Sequence, residues 1–574
     1  MNNRLRTQHF IASLIAVTVF ASIDVLATNA QDAPFITIWQ TNHSGVSDDN
    51  QIIIPGVGEY TIKWQEVDNP DNAGSDTGSD VHTITFPWSG VYRVSIRGDL
   101  KRIHFGMHDE DNEGDARKIL EVEQWGDIAW SSLQGAFKGA AFLIKSTGDA
   151  PDLSGVTDMS EMFRGVTSFN ADIGDWDTGH VTDMSYMFFA AQSFNGDISS
   201  WDTGEVTNMS WMFDGTSAFN QDIGGWEIGN VKDMRGTFRG AVSFNQDIGD
   251  WNTENITDMN SMFSNAQSFN GNISDWNTGN VEDMSGMFYN AGSFEGEIGN
   301  WDTGNVTNMS SMFNNARSFN SDIGGWDTGI VTDMSRMFSN ARSFNSDLGS
   351  WDTGNVINLS GMFRDGSSFR QDIGGWETGN VTDMSEMFLN ARSFNHDIGN
   401  WDIGSISSMD SMLVESGLSA NTYDKALAGW ANQNLQSGVT LGAENLYYCE
   451  AGIARQKVID NFSWVIKDAG IAEGCFTTSI NEHDGLPVAY ELNQNYPNPF
   501  NPTTQIRFSI PEQAHVRLDV YSLLGRKIST LVDENKAAGY YDVNFDATSL
   551  TSGLYIYRLQ TEMHVETRQM MLIK

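Results

Sequence analysis

Residues 301–325 read WDTGNVTNMSSMFNNARSFNSDIGG, and residue 326 is again a tryptophan. Ten tryptophans follow one another at this interval of 25 residues: Trp176, Trp201, Trp226, Trp251, Trp276, Trp301, Trp326, Trp351, Trp376 and Trp401. An unbroken period of this length is typical of stacked repeats, because one unit is too small to bury its own apolar face. The repeat therefore predicts an extended surface rather than a catalytic cleft.

Other apolar positions recur at the same phase as the tryptophan, as at Val306, Met309, Phe313, Phe319 and Ile323. We expect these columns to form the core, with the tryptophans packed inside it rather than exposed as a platform for sugars. The Ser-x-Met-Phe-x-Asn-Ala segment indicates a short helical turn, and Phe-Asn-x-Asp-Ile indicates a short strand. The predicted fold class is a repeat solenoid of 25-residue units, each with a short strand and a short helical turn, flanked by small β-sandwich domains.

Changes in composition along the chain predict seven segments. They are a signal peptide at 1–30, a β-rich segment at 31–100, an N-terminal cap at 101–150, the repeats at 151–413, a C-terminal cap at 414–476, a linker at 477–489 and a last β-domain at 490–574.

The first segment has the features of a secretory signal, with a basic start at Arg4 and Arg6 followed by a short apolar run. That run is shorter than the roughly 20 residues that span a bilayer, and we expect no transmembrane segment after its removal. The chain has two cysteines, Cys449 and Cys475, which we expect to form a disulfide in an exported protein.

The chain is strongly acidic, with 33 Lys and Arg against 75 Asp and Glu and a formal net charge of −42. This balance argues against nucleic acid as a partner and against docking on an anionic membrane. Carboxylates also recur in columns, which suggests calcium because Ca²⁺ takes oxygen ligands. The candidate ligands share one phase of the repeat: Asp172, Asp197, Asp222, Asp247, Asp322, Asp347, Asp372 and Asp397. The alternative is that these residues only build turns.

The sequence predicts no catalytic residues and no cofactor-binding residues. Ser, His and Asp occur without a nucleophile elbow, and no glycine-rich phosphate loop is present. Residues outside the repeats, caps and last domain are too few for a usual catalytic domain. An accessory role in a secreted polysaccharide-degrading enzyme remains an alternative.

The unit at residues 301–313 resembles the repeats of BspA-like leucine-rich-repeat surface proteins of bacteria, and the likeness covers most of residues 100–470. This resemblance implies a solenoid of the leucine-rich-repeat type, export and a binding role. In the β-rich segment at 31–100, residues 60–64 and 90–96 resemble strands of PKD-like modules.

The end of the chain resembles the type A C-terminal sorting domain of type IX secretion in Bacteroidetes. The likeness is carried by residues 492–502, 520–526 and 553–558, and the first of these contains the sorting motif Tyr496, Pro497, Asn498, Pro499, Phe500, Asn501 and Pro502. The resemblance implies the type IX secretion machinery as a partner, passage through the periplasm, and release or attachment at the cell surface.

Together these features predict a secreted or surface-attached protein that binds an extracellular protein or glycan through its repeats, in adhesion or matrix contact. A self-associating structural component of a surface layer is the alternative.

Overall fold

The computed structural model describes residues 33–105, 114–146, 149–473, 475, 487 and 489–574. The chain divides into two units, residues 1–477 and residues 478–574. The predicted signal peptide lies outside the described residues, as does most of the predicted linker. No helix in the described part of the chain is both long and apolar enough to cross a membrane.

The first unit begins with a seven-stranded sheet in which β5 pairs with β2 and the other strands follow the order β3-β2-β4-β1-β6-β7. Among the strand pairings of this sheet that the structure describes, only β6–β7 is parallel. The strands are β1 (Phe35–Gln40), β2 (Gln51–Glu66), β3 (Ala73–Thr85), β4 (Val91–Gly98), β5 (Arg102–Ile103), β6 (Ile119–Gln124) and β7 (Lys145–Ser146).

Strand β3 occupies much of a polar stretch whose composition predicts a turn. Its glycines explain why this stretch pairs with β2: a side chain at Gly74 would collide with the ring of Trp64, and one at Gly78 with the ring of Tyr60. The two aromatic rings of β2 therefore lie across the glycines of β3, and the polar strand contributes backbone pairing rather than packing.

The core of this sheet continues without a break into the core of the repeats. Trp125, just after β6, meets Trp176 edge to face with ring centroids 5.5 Å apart. Phe137 stacks on Phe163 at 5.7 Å. The region before the repeats is thus one sheet that covers the end of the stack, and the prediction of a small β-sandwich there was wrong.

The repeats are built from turns. Between residues 151 and 413 the structure has no helix, and the backbone pairs only through single parallel bridges, such as those from Asn308 to Asp283 and to Asp333. Every second N–H from residue 309 to residue 315 donates to the carbonyl 24 residues ahead, at 2.7–3.0 Å. Neighbouring repeats therefore satisfy one another's backbone.

The prediction of a leucine-rich-repeat-type solenoid, with a short strand and a short helical turn in each unit, was wrong. The extended sheets of the described residues are mostly antiparallel, and the two α-helices lie outside the repeats. The segment predicted to be helical contains left-handed residues, such as Ser311 at φ 57° and Asn315 at φ 62°. Left-handed residues interrupt a right-handed helix, and every second N–H group of the segment bonds forward to the next repeat.

The apolar columns are buried as predicted, since Val306, Met309, Phe313, Phe319 and Ile323 are fully covered. The tryptophans are buried too, and the core assignment is confirmed. Each indole Nε1 from Trp201 to Trp401 donates to the carbonyl of the residue 28 positions earlier, at 2.9–3.1 Å. An exposed sugar platform is therefore excluded for these rings.

After the repeats, the first unit ends in α1 (Ala420–Trp430), β8 (Thr440–Ala443), α2 (Gly452–Phe462) and β9 (Val465–Asp468). The side chain of Ser419 caps α1 by accepting the N–H of Thr422. The carboxylate of Asp424, on α1, accepts the three consecutive backbone N–H groups of residues 449–451. Cys449 forms a disulfide with Cys475, with the two Cα atoms 5.0 Å apart.

The second unit has two antiparallel sheets, β10-β11-β14 and β13-β12-β15-β16, which share one core. Its strands are β10 (Glu491–Leu492), β11 (Thr503–Ile510), β12 (Ala514–Ser522), β13 (Lys527–Lys536), β14 (Gly539–Asp546), β15 (Gly553–Gln560) and β16 (Val565–Leu572). This core contains no residue of the first unit.

Replacing one tryptophan of the column tests its contribution. We expect Trp276→Ala to lower the free energy of unfolding by about 3–5 kcal/mol, because a large cavity forms and the carbonyl of Ile248 keeps only its longer hydrogen bond, from the N–H of Trp251 at 3.3 Å. Urea denaturation followed by circular dichroism would measure the change. Ile357→Ser, at a residue 48% exposed, is the control and should stay within about 0.5 kcal/mol of wild type. Equal stability of Trp276→Ala and wild type would contradict the assignment.

Candidate binding face and sorting motif

Among the positions of the repeat whose side chains differ between units, four lie close together in one segment of the repeat. They are residues 311, 314, 315 and 317 of the quoted repeat and their equivalents at intervals of 25 residues, and we call them the variable face. Position 311, for instance, is Tyr186, Trp211, Arg336 and Glu386 in other repeats. Since the core columns hold the same residue types throughout, variation at these positions does not disturb packing.

Charge is distributed unevenly between the variable face and the rest of the repeats. Residues 151–403 contain ten Lys and Arg and 36 Asp and Glu. Seven of the ten basic residues lie on the variable face: Arg164, Arg239, Arg317, Arg336, Arg342, Arg364 and Arg392. Only four of the 36 acidic residues do: Glu161, Asp214, Asp365 and Glu386. A strongly acidic protein thus keeps one face that is rich in arginine.

Toward the start of the repeats this face carries a row of aromatic and arginine side chains. The guanidinium of Arg164 lies 5.5 Å from the ring centre of Tyr186 and 5.0 Å from that of Phe189. Tyr186 stacks on Trp211 with centroids 6.3 Å apart, and Arg239 lies 5.4 Å from the ring of Trp211. The row is half-buried to exposed, crosses four repeats and is held together by cation–π contacts.

The ring of Trp211 needs a glycine in the next repeat. A side chain at Gly236, which has φ 58°, would collide with this ring. The tryptophan therefore lies against bare backbone, which fixes its orientation on the surface.

The buried acid of the variable face is Asp214, whose carboxylate lies 3.6 Å from Arg239. Burial raises the pKa of this carboxyl from its ordinary 3.8 to about 6, and the nearby Arg239 opposes the shift. A carboxyl whose pKa is raised by folding is most costly when it is charged, above pH 6.

We expect Asp214→Asn to raise the free energy of unfolding at pH 7.5 by about 1–3 kcal/mol. Because the folded pKa exceeds the unfolded one, the cost of the charge disappears as the pH falls through 6 toward 4. The stability difference between variant and wild type should therefore shrink over that range, as measured by urea denaturation at several pH values. A difference that does not change with pH would contradict this expectation.

The calcium candidates lie on another part of the repeat surface. The carboxylate of Asp322 accepts the N–H of Gly324 at 3.1 Å, and that of Asp347 accepts the N–H of Gly349 at 2.9 Å. The other members of the column bind the N–H two residues ahead in the same way: Asp172, Asp197, Asp222, Asp247, Asp372 and Asp397. These contacts build turns.

In the part of the chain that the structure describes, no three His, Cys, Asp or Glu side chains lie together as a metal site would need. Calcium binding by the column stays a prediction. Asn272 occupies the same phase and accepts the N–H of Ser274 at 3.1 Å, so an amide serves the turn as well as a carboxylate.

Asp322→Asn combined with Asp347→Asn separates the role in the turn from the charge. We expect the double variant to unfold in low salt at a temperature equal to that of wild type or a few degrees higher, because the turns persist and repulsion between stacked carboxylates falls. Thermal unfolding in EDTA and in calcium would measure this. If calcium raises the unfolding temperature of wild type but not that of the double variant, the calcium hypothesis is supported. If the double variant unfolds in EDTA at a lower temperature than wild type, the expectation is contradicted.

The sorting motif forms an ordered loop between β10 and β11. Phe500 is buried. Its N–H donates to the carbonyl of Met571 at 2.9 Å, and its carbonyl accepts the N–H of Ile573 at 3.0 Å. The peptide bonds before Pro497, Pro499 and Pro502 are cis. The loop is thus joined to the end of the chain by main-chain hydrogen bonds.

Asn495, just before the motif, is also buried. Its N–H donates to the hydroxyl of Tyr557 at 2.6 Å, and its side-chain amide donates to the carbonyl of Pro497 and to Thr504. The motif of Tyr496, Pro497, Asn498, Pro499, Phe500, Asn501 and Pro502 is therefore part of the folded second unit.

Comparison with known proteins identifies this second unit. Residues 494–574 match a family described as a secretion system C-terminal sorting domain. The chain is therefore exported by type IX secretion to the cell surface or the extracellular space. With its tandem repeats, it is a secreted or cell-surface repeat protein.

The repeats match a second family, described as "Mycoplasma protein of unknown function, DUF285", over residues 131–249, 218–326 and 316–430. The three matches together cover more than half of the chain, and the chain belongs to this family. No match to a curated protein was found.

Sequence reasoning missed the variable face. The signal was present, because aligning the units shows that positions 311, 314 and 317 differ most while the core columns hardly change. Without the structure, nothing showed that Arg164, Tyr186 and Trp211, on successive repeats, meet on one surface.

Proposed function

We propose that this exported protein binds an extracellular macromolecule through the variable face, in adhesion or matrix contact. The observation that carries the proposal is the aromatic and arginine row of Arg164, Tyr186, Phe189, Trp211 and Arg239. Tryptophan, tyrosine and arginine are the residues that most often dominate binding energy at interfaces.

The construction of the repeats supports this proposal. The core tryptophans use their indole N–H groups inside the stack, and the core rings pack on one another from repeat to repeat. The half-buried Tyr186 and Trp211 contribute to none of these core columns, so the core does not require an aromatic side chain at either position. Stacked repeats in general present extended binding surfaces.

The resemblance to BspA-like surface proteins, some of which are regarded as adhesins, agrees with a binding role and stays a prediction. The absence of catalysis also stays a prediction. We expect no turnover of polysaccharide by the processed protein, and hydrolysis of a glycan probe would favour the enzyme-associated alternative instead.

Replacing the aromatic row tests the proposal. The processed protein without residues 478–574 would be applied to printed extracellular-matrix proteins and polysaccharides, and saturable binding measured for wild type and for Tyr186→Ala with Trp211→Ala. We expect the double variant to raise the Kd by about 10- to 100-fold, because two anchors are lost. Trp88→Ala is the matched control, since Trp88 is 50% exposed outside the repeats and should leave the Kd unchanged.

Circular dichroism would verify that each variant is folded. Equal binding by the double variant and wild type would contradict the proposal. A panel without saturable binding, together with light scattering that rises with protein concentration, would instead favour the structural surface-layer alternative.

A further inference from the structure

A second part of the variable face carries arginines without acidic partners. Arg317, Arg336 and Arg342 lie on two consecutive repeats and are exposed. None of the three forms an ion pair within the described residues, whereas Arg364 pairs with Glu386 at 2.6 Å and Arg392 with Glu415 at 3.5 Å. In a chain with a formal net charge of −42, three unpaired arginines at one place require a physical reason.

A ladder of asparagines positions two of these arginines. The side-chain amide of Asn340 donates to Asn315, and that of Asn315 donates in turn to Asn290. The Nε of Arg317 donates to the Oδ1 of Asn315 at 2.9 Å, and the Nε of Arg342 donates to the Oδ1 of Asn340 at 2.8 Å. The two guanidinium groups are therefore held in equivalent positions, one repeat apart.

The distance between repeats brings these two charges close together. The rings of Phe313 and Phe338, at equivalent positions of the same two repeats, have centroids 5.7 Å apart. Two cations at such a spacing repel each other, and the asparagine contacts use only their Nε groups. The remaining guanidinium donors of both residues suit planar anions such as carboxylate, or oxyanions such as sulfate.

The surroundings of the arginines favour a hydrated ligand over an apolar protein surface. The other variable-face residues of these two repeats are Ser311, Asn314 and Ser339 together with the two ladder asparagines. Within these two repeats, none of the large hydrophobic side chains exposed among the described residues lies on the variable face; the exposed Tyr289 belongs to the preceding repeat. Protein interfaces usually centre on buried aromatic anchors, which this part lacks.

We propose that Arg317 and Arg342, assisted by Arg336, form a subsite for an acidic polysaccharide, with carboxylate or sulfate groups of the sugar chain bound between the guanidiniums. This inference deepens the proposed function and rests on it, since it names the class of ligand for one part of the variable face. Acidic residues elsewhere on the repeats would repel the same ligand and so confine it to this surface.

The test uses the processed protein and three named probes: polygalacturonate, dextran sulfate and neutral dextran. Titration calorimetry would compare wild type with Arg317→Gln combined with Arg342→Gln. We expect wild type to bind one or both polyanions but not neutral dextran, and the double variant to raise the Kd by about tenfold or more. We also expect the dependence of the Kd on salt concentration to become less steep in the variant.

Arg364→Gln combined with Arg392→Gln is the matched control. It removes the same charge from the same face, but from arginines that already have carboxylate partners. We expect less than about a twofold change in Kd for this pair. Poly-glutamate, a carboxylate polymer without sugars, should bind more weakly than polygalacturonate.

The inference is overturned if wild type binds neither polyanion, or if Arg317→Gln with Arg342→Gln binds as tightly as wild type. It is also overturned if Arg364→Gln with Arg392→Gln loses as much affinity as that variant, or if poly-glutamate binds wild type as tightly as polygalacturonate does. The proposed function would survive any of these results provided that the matrix panel still shows binding that depends on Trp211. If binding to the matrix panel is also absent, both the proposed function and the acidic-polysaccharide subsite are contradicted.

Discussion

The first unit depends on one constraint, which is that each repeat must satisfy its backbone through its neighbour. In an α-helix the N–H groups bond back to the same segment, but here every second N–H group from residue 309 to residue 315 bonds to the carbonyl 24 residues ahead. Left-handed residues at positions 311 and 315 turn the chain so that alternate N–H groups can do this. No repeat is complete by itself, and a stable unit requires the stack.

The constraint also explains the two ends of the stack. The first repeat is covered by the core of the N-terminal sheet, where Trp125 meets Trp176. At the other end, Trp430 of α1 donates its indole N–H to the carbonyl of Ile398 at 3.1 Å, just as Trp401 donates to the carbonyl of Ile373. The N–H of Leu413 then donates to Gly442 of β8, so the last repeat also finds a backbone partner.

Packing and backbone bonding together leave few positions free, and those positions carry the candidate functions. Columns of identical residues fill the core, and turn residues such as Asp322 bond their own loop. The variable face remains, with an aromatic row around Trp211 at one part and unpaired arginines around Arg317 at another. Residues needed for stability are thus separated from residues that can change with the ligand.

The sequence by itself determined the period of 25 residues, the burial of the core columns, and the sorting domain. These features depend on residue type and spacing along the chain, as with Trp301 and its equivalents. The prediction from sequence was wrong where contacts between repeats outweighed the helical preference of a local segment. The 309–315 segment has a helix-like pattern, yet every second one of its N–H groups donates to a carbonyl of the next repeat.

Only the tertiary structure decided the rest, because the decisive partners are far apart in the chain. The polar stretch around Gly74 became strand β3 because the rings of β2 cover its glycines. The face shared by Arg164, Tyr186 and Trp211 exists because stacking brings residues from successive repeats side by side. The unpaired state of Arg317 likewise depends on which carboxylates stacking brings near it. The spacing of residues along the sequence determines which positions recur in every repeat, whereas contacts between repeats determine which side chains remain exposed.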